Sequence, residues 1–208
     1  MKKIYYILFA VMMLCIACEI KLKPNDNAQN KIEVVRYDRL QSRYLTTGDF
    51  SALQEMNTEY AIETRTLIEN VLKLGAVYEP DINSRFLNFY QDTLLQTVIS
   101  AAETQYANME DINKSFTNAF SKAKKTLPGF IVPKIYTQIG AFDQSIIVGD
   151  TIIGISLDKY LGEDYPAYIK FYSKAQRKTM TREYIVPDCL NFYLLSLYPS
   201  KNFDKKTQ

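Results

Sequence analysis

The sequence predicts an α+β domain: a helical N-terminal half, a small antiparallel sheet containing a hairpin, and C-terminal helices. Apolar residues recur at three-and-four spacing from Asp49 to Leu127, then give way to isoleucine- and valine-rich runs bounded by turn residues. Gly149–Asp150 separates two of those runs, a pair suited to a tight hairpin with positive φ. After Asp158 the helical period returns.

The chain opens with Lys2 and Lys3, then "IYYILFAVMMLCIAC" from Ile4 to Cys18, without a charge. A permanent span needs roughly 20 apolar residues, so this shorter run behind a basic start reads as a secretory signal. Ala17 followed by Cys18 resembles a bacterial lipoprotein signal, whose cysteine sulfur is diacylated and becomes the new N-terminus. Cys15 stands where such signals prefer leucine, with Leu14 beside it. An uncleaved anchor or an ordinary secreted protein is the alternative. The expected organisation is residues 1–17 as signal, 18–31 as lipidated N-terminus and flexible tether, 32–199 as the folded domain and 200–208 as a polar tail. One acyl chain anchors only marginally, whereas two or three hold durably.

Of 25 lysines and arginines, Lys2 and Lys3 leave with the signal, so the remaining basic count equals the 23 acidic residues. A neutral chain lacks the one-sided basic charge that grips a phosphate backbone, and nucleic acid is not an expected partner. Cys189 remains alone in "DCLNFYLLSLY" once Cys15 and Cys18 are accounted for; it closes no internal disulfide and reads as a small buried hydrophobe.

The chain contains no histidine. Ser–His–Asp and Cys–His catalysis as usually built, His-ligated zinc and the HExxH helix are therefore excluded. Carboxylate pairs, Lys or Tyr bases and an oxygen-ligated cation remain as routes to chemistry. No cofactor is expected, and the chain reads as a non-enzyme.

In order along the chain, "KIEVVRYDRL" alternates enough for a short strand, with Asp38 as N-cap of the following turn. Phe50, Leu53, Met56 and Tyr60, continued by Leu67, Val71, Leu72 and Leu74, form one helical face stopped at Gly75. A second face runs from Phe86 to Ile99. A third, from Asn113 to Leu127, ends at Pro128–Gly129, with Lys122 to Lys125 complementing its C-terminus. Pro133 argues for an edge position of the first strand. Tyr165, Tyr168 and Tyr172 share one helical face, as do Leu190, Tyr193, Leu194 and Leu197. Lys170, Lys174, Arg177 and Lys178 form a basic stripe that suits solvent, anionic headgroups or an acidic partner. Sixteen tyrosines and eleven phenylalanines, with no tryptophan, can fill a core; several of them exposed together would mark an interface.

The segment "SLDKYLGEDYPAY" concentrates acids and phenols where the hairpin hands over to a helix. Asp158 can cap the turn of "KYLG", Gly162 stops it, Glu163 and Asp164 place negative charge at the next helix start, and Pro166 fits that helix's first turn. The other reading makes Asp158, Glu163 and Asp164 a ligand or cation site, although their spacing matches no recognised calcium loop.

"IYTQIGAFDQSIIVGDTIIGISLDKYLGEDYPAY" with "REYIVPDCLNFYLLSLYP" after it resembles the GldB gliding-motility lipoproteins of Bacteroidetes. "VVRYDR" looks like their early Arg-Phe/Tyr-Asp element, and "FSKAKKTLPGFIVPKIYT" like the lysine-rich helix before their first strand. The likeness covers Ile32 to Pro199, and the LDKYLG block is its most specific part. It implies an outer-membrane lipoprotein of the envelope machinery used in gliding and type IX secretion, with envelope proteins as partners. It brings no catalytic residue; the lipidated cysteine maps onto Cys18. Acid-rich stretches after that cysteine mark surface-exposed members in some Bacteroidetes, but here only Glu19 precedes Lys21 and Lys23, so the periplasmic face is expected. Family members continue beyond "NFDKKTQ", which implies a further C-terminal helical segment.

The lineage is distantly similar to predicted zinc proteases with an HExxH helix. Arg182–Glu183 stands where His–Glu is expected, Val186 where the second His falls, and Pro187 would interrupt the helix. Glu183 is then either the relic of a general base in a degenerate zincin-like fold or a surface residue paired with a lysine. The expected function is a non-catalytic accessory or scaffold; the alternative is a degenerate metallopeptidase-like or carboxylate-dependent hydrolase.

Overall fold

The computed structural model describes residues 31–199. The expectations for the signal, Cys18, the tether and the 200–208 tail lie outside them. The element order is α1 (Tyr37–Thr47), α2 (Phe50–Thr58), α3 (Ala61–Arg65), a π turn (Thr66–Val71), α4 (Ile82–Phe89), α5 (Thr93–Gln105), α6 (Glu110–Thr126), β1 (Lys134–Gln138), β2 (Ile146–Val148), β3 (Ile152–Ser156), a 3-10 turn (Leu157–Lys159), α7 (Pro166–Phe171), α8 (Lys174–Arg177), a second 3-10 turn (Arg182–Tyr184) and α9 (Ile185–Leu197). The expected α+β class holds, with helices on both sides of a small sheet in sequence.

The first expected strand shrinks to one residue. Val35 donates to Ile135 O (2.8 Å) and accepts from Thr137 N (3.0 Å), flanking β1 on its outer edge. Asp38 is not an N-cap: it lies buried in the first turn of α1. There it takes the Arg36 guanidinium on both oxygens (2.8 and 2.7 Å) and the Thr137 hydroxyl, while Arg36 also reaches Tyr106 O (2.6 Å). The Arg-Tyr-Asp element thus fastens α1 to β1 and to the end of α5.

Asp49 caps α2 through the Ser51 and Ala52 amides, as helix starts require. The single helix expected from Phe50 to Leu74 is broken at Glu59–Tyr60 and relaxes into a π turn, where Leu72 N reaches back to Leu67 O (2.8 Å). The wider turn lets neighbours Leu67 and Ile68 both be buried. Phe50, assigned to the apolar face, is exposed. The face from Phe86 to Ile99 is likewise two helices, parted where Asp92 caps α5 through Leu94 N (2.8 Å) and Leu95 N (3.2 Å).

The sheet corrects the antiparallel expectation. Its order is β1-β3-β2: β2 pairs antiparallel with β3, but β1 runs parallel to β3 in the register Tyr136↔Gly154. Gly154 is needed at that register, because a Cβ would come 2.5 Å from the Tyr136 hydroxyl oxygen. The hairpin is present, closed by Gly149 N to Ile152 O (2.9 Å), yet none of Gly149, Asp150 or Thr151 has positive φ. β1 is an edge strand of the sheet and Pro133 directly precedes it, as expected. Since β3 lies between β1 and β2, residues 139–145 must cross the C-terminal end of β3 to reach β2.

Tyrosines make up much of the core, while Tyr78, Tyr184 and Tyr198 are exposed. Tyr37, Tyr90, Tyr106, Tyr160, Tyr168 and Tyr193 are among the largest fully buried side chains. Each hydroxyl has a partner: Thr64 for Tyr37, Asp188 for Tyr160, and the main-chain carbonyls of Ile139, Tyr160, Asp158 and Ile131 for the rest. A buried phenol needs such a partner, because an unpaired polar group in the core is costly. Gln41 adds a side-chain imitation of a strand, donating to Ile139 O (2.9 Å) and accepting from Ile139 N (2.9 Å).

Candidate functional site

The crossing of 139–145 over β3 creates a backbone problem that Asp158 solves. Ala141 and Phe142 both take left-handed φ, 52° and 65°, an uncommon conformation for residues with side chains. Asp158, fully buried at the end of β3, accepts the amides of Gly140 (2.7 Å) and Phe142 (2.5 Å), one on each carboxylate oxygen. Burial holds this carboxyl above the usual range, against the pull of those two amides. Asp158 therefore serves the remote loop, not the N-cap of its own turn.

The neighbouring acids do not converge with it. Glu163 offers its main-chain carbonyl to Arg177 (2.8 Å), and the Asp164 side chain is 95% exposed, 3.8 Å from the same guanidinium. Among the described residues no group of three His, Cys, Asp or Glu is placed to hold a metal ion. Arg177 turns inward, with its side chain 14% exposed, which removes it from the expected basic stripe. That stripe also loses its helix, because the Ser173–Gln176 capping box starts a new one after α7 ends at Phe171. The tyrosine face does form: Tyr165, Tyr168 and Tyr172 pack edge-on with ring centroids 5.1 and 5.7 Å apart, and Pro166 occupies the first turn of α7.

A cleft of about 200 Å³ opens beside this segment, lined chiefly by Ser145, Lys159, Tyr160, Tyr172, Gln176 and Asp188. Four separate stretches supply it: the loop entering β2, the exit of the 3-10 turn, the stretch from the end of α7 into α8, and the first turn of α9. Lys159 donates to Phe142 O (3.1 Å) and the Tyr172 hydroxyl (3.0 Å) and lies 4.6 Å above the Tyr172 ring. Tyr160 donates to Asp188 Oδ2 (2.8 Å). Burial raises the Asp188 carboxyl while the Tyr160 bond draws it back, and burial together with the Asp188 charge keeps the Tyr160 phenol neutral. A phenol so resistant to ionisation is a donor and no base. The arrangement offers one cation, one carboxylate and several neutral donors, which suits binding a polar group.

The sequence reading missed this cleft, although Lys159 and Tyr160 lie in the LDKYLG block and Asp188 is a lone acid among apolar neighbours. Tyr160→Phe tests the pairing. It is expected to lower stability by about 1 kcal/mol at neutral pH by stranding a half-buried carboxylate. The loss should shrink in acid, because a protonated Asp188 no longer needs the donor; urea unfolding at two pH values measures both.

Glu183 sits exposed in the second 3-10 turn. Its carboxylate accepts the Thr181 hydroxyl (2.6 Å), which pulls its pKa down, so its partner is a threonine and not the lysine expected of a surface acid. Arg182 beside it is the anchoring residue. It grips Asp111 on both oxygens (2.9 and 2.6 Å), donates to Gln105 O (3.1 Å) and Asn108 O (2.7 Å), and stacks 4.9 Å from the Tyr106 ring centroid. Pro187 does not interrupt α9; it falls in the first turn, where a missing amide hydrogen costs nothing. Cys189 is buried on α9, and burial pushes its thiol up, as for an inert core cysteine.

Among the described residues no helix is long and apolar enough to cross a membrane. No curated protein and no solved structure matches the chain. The family model described as gliding motility protein GldB matches residues 19–207, which takes in the Arg-Tyr-Asp clamp, the Asp158 loop and the cleft, and the chain therefore belongs to the GldB family.

Proposed function

We propose that this GldB-family protein is a lipid-anchored component of the cell envelope, held at the periplasmic face of the outer membrane through Cys18. It works as a non-catalytic accessory or scaffold of the gliding and type IX secretion machinery, and its partners are other envelope proteins. Family membership supports the machinery, and the basic, apolar, Ala17–Cys18 start supports the anchor. The observation that carries the non-catalytic part is the engagement of Arg182. At the position where a peptidase of the similar lineage would place a zinc-binding histidine, this chain has a guanidinium occupied by Asp111 and two carbonyls. Its neighbour Glu183 is satisfied by Thr181 on the surface, away from any assembled ligand set among the described residues.

Growth of cells expressing the full chain in labelled fatty acid tests the anchor. Label is expected on the wild type and absent from Cys18→Ala. An unlabelled wild type, or undiminished label on the variant, overturns it. Glu183→Gln is expected to leave motility and secretion unchanged, and loss of either would return the hydrolase alternative.

A further inference from the structure

We infer that the end of the domain where α6 runs out and the 127–133 loop begins rests on an anionic phospholipid surface. The inference rests on the lipid-anchored reading above. Lys124 and Lys125 in the last turn of α6, and Lys122 just before it, are exposed, and among the described residues none has a carboxylate partner within ion-pair distance. Complementing the helix C-terminus accounts for their sign but not for what lies beside them. Ile131 is 59% exposed and Val132 38%. Leu197, 38% exposed, lies one helical turn beyond Tyr193, whose hydroxyl donates to Ile131 O (2.9 Å), so the end of α9 borders the same loop. Lysines followed closely along the chain by protruding aliphatic side chains match the interfacial region of a bilayer: the chains enter the headgroup boundary and the ammonium groups pair with lipid phosphates.

The chain's own attachment points the same way. Val34 N donates to Asn113 Oδ1 (3.1 Å) and Ile32 N to Thr117 Oγ1 (2.9 Å). Moving from Val34 back to Ile32 therefore advances along α6 toward its lysine-bearing end. An anchor joined through Lys31 holds the domain by this segment beside α6, so a second, electrostatic contact on the same helix adds to acyl insertion. The balanced charge of the chain beyond its signal makes this local cluster, and not the whole surface, the source of attraction.

The test uses the chain from residue 19 on, which carries the whole described domain but no acyl chain, so a failed anchor and a failed surface are told apart. It is sedimented with phosphatidylcholine vesicles with and without phosphatidylglycerol. Binding is expected only with the anionic lipid and should vanish near 1 M salt, where screening acts within about 3 Å. Lys122→Glu/Lys124→Glu/Lys125→Glu should weaken partition at least 100-fold, each lysine near an anionic surface contributing roughly fivefold. Ile131→Ser/Val132→Ser should weaken it about tenfold. Lys170→Glu/Lys174→Glu/Lys178→Glu changes net charge equally and should leave binding intact. No binding to anionic vesicles, or equal loss in both lysine variants, overturns the inference.

Discussion

Asp158→Ala is expected to lose about 3–5 kcal/mol of folding stability, a large part of the total for a domain of this size. The carboxylate is fully buried and terminates the Gly140 and Phe142 amides. Without it two main-chain donors are left in the core, each costing about 1–3 kcal/mol. The left-handed residues Ala141 and Phe142 also lose the contact that holds them. Relief of the buried charge offsets part of this, which keeps the figure below the sum of its losses. Asp158→Asn retains one acceptor and should lose about half as much. Urea unfolding gives both numbers. If Asp158 instead served a cation, millimolar calcium or magnesium would raise the wild-type melting temperature and leave Asp158→Asn unmoved. No shift is expected in either, because both oxygens are already engaged.

Arg182→Ala is expected to cost about 2–3 kcal/mol, through the loss of charged donors to the Gln105 and Asn108 carbonyls and of the cover over Tyr106. The Asp111 pairing contributes little of this, at most about 1 kcal/mol, because that carboxylate is 63% exposed. The two parts separate by pH. Arg182 holds the Asp111 carboxyl below its ordinary value. Its share is therefore fully present above an unfolded pKa of about 3.9 and lost as pH falls through the lower folded value. The carbonyl share does not change with pH. A double-mutant cycle with Asp111→Ala at pH 7 and in acid reads the difference. Arg182→His restores the lettering of a metallopeptidase motif yet loses the fork that reaches two carbonyls at once, and it should be nearly as unstable as the alanine variant. Wild-type stability in Arg182→His would sink this account of the position.

Periodicity made most elements legible, because helices and half-buried strands repeat their apolar residues at their own spacing. It failed where packing overrode local pattern. The break at Glu59–Tyr60 and the π turn keep the apolar spacing almost intact, so residues 50–74 read as one helix. Parallel pairing of β1 with β3 is a choice between remote segments that the hairpin signal does not reach. The acids show the same limit. Asp38 and Asp158 each precede or open a helical turn, where a local rule makes them caps. Their real partners, Arg36 with Thr137 and the Gly140 and Phe142 amides, include groups 16 to 99 residues away in sequence. The cleft was illegible for the same reason: Ser145, Lys159, Tyr172 and Asp188 meet only after the chain has crossed β3.

Six of the buried phenols, those of Tyr37, Tyr90, Tyr106, Tyr160, Tyr168 and Tyr193, carry a further implication for how such a core can change over time. Four of them are held by peptide oxygens, at positions 131, 139, 158 and 160, and a peptide oxygen is present whatever side chain the residue bears. The donor must stay a tyrosine, but the acceptor position is free to vary in identity as long as the backbone path persists. A framework built on this asymmetry tolerates drift on one side of each contact and almost none on the other.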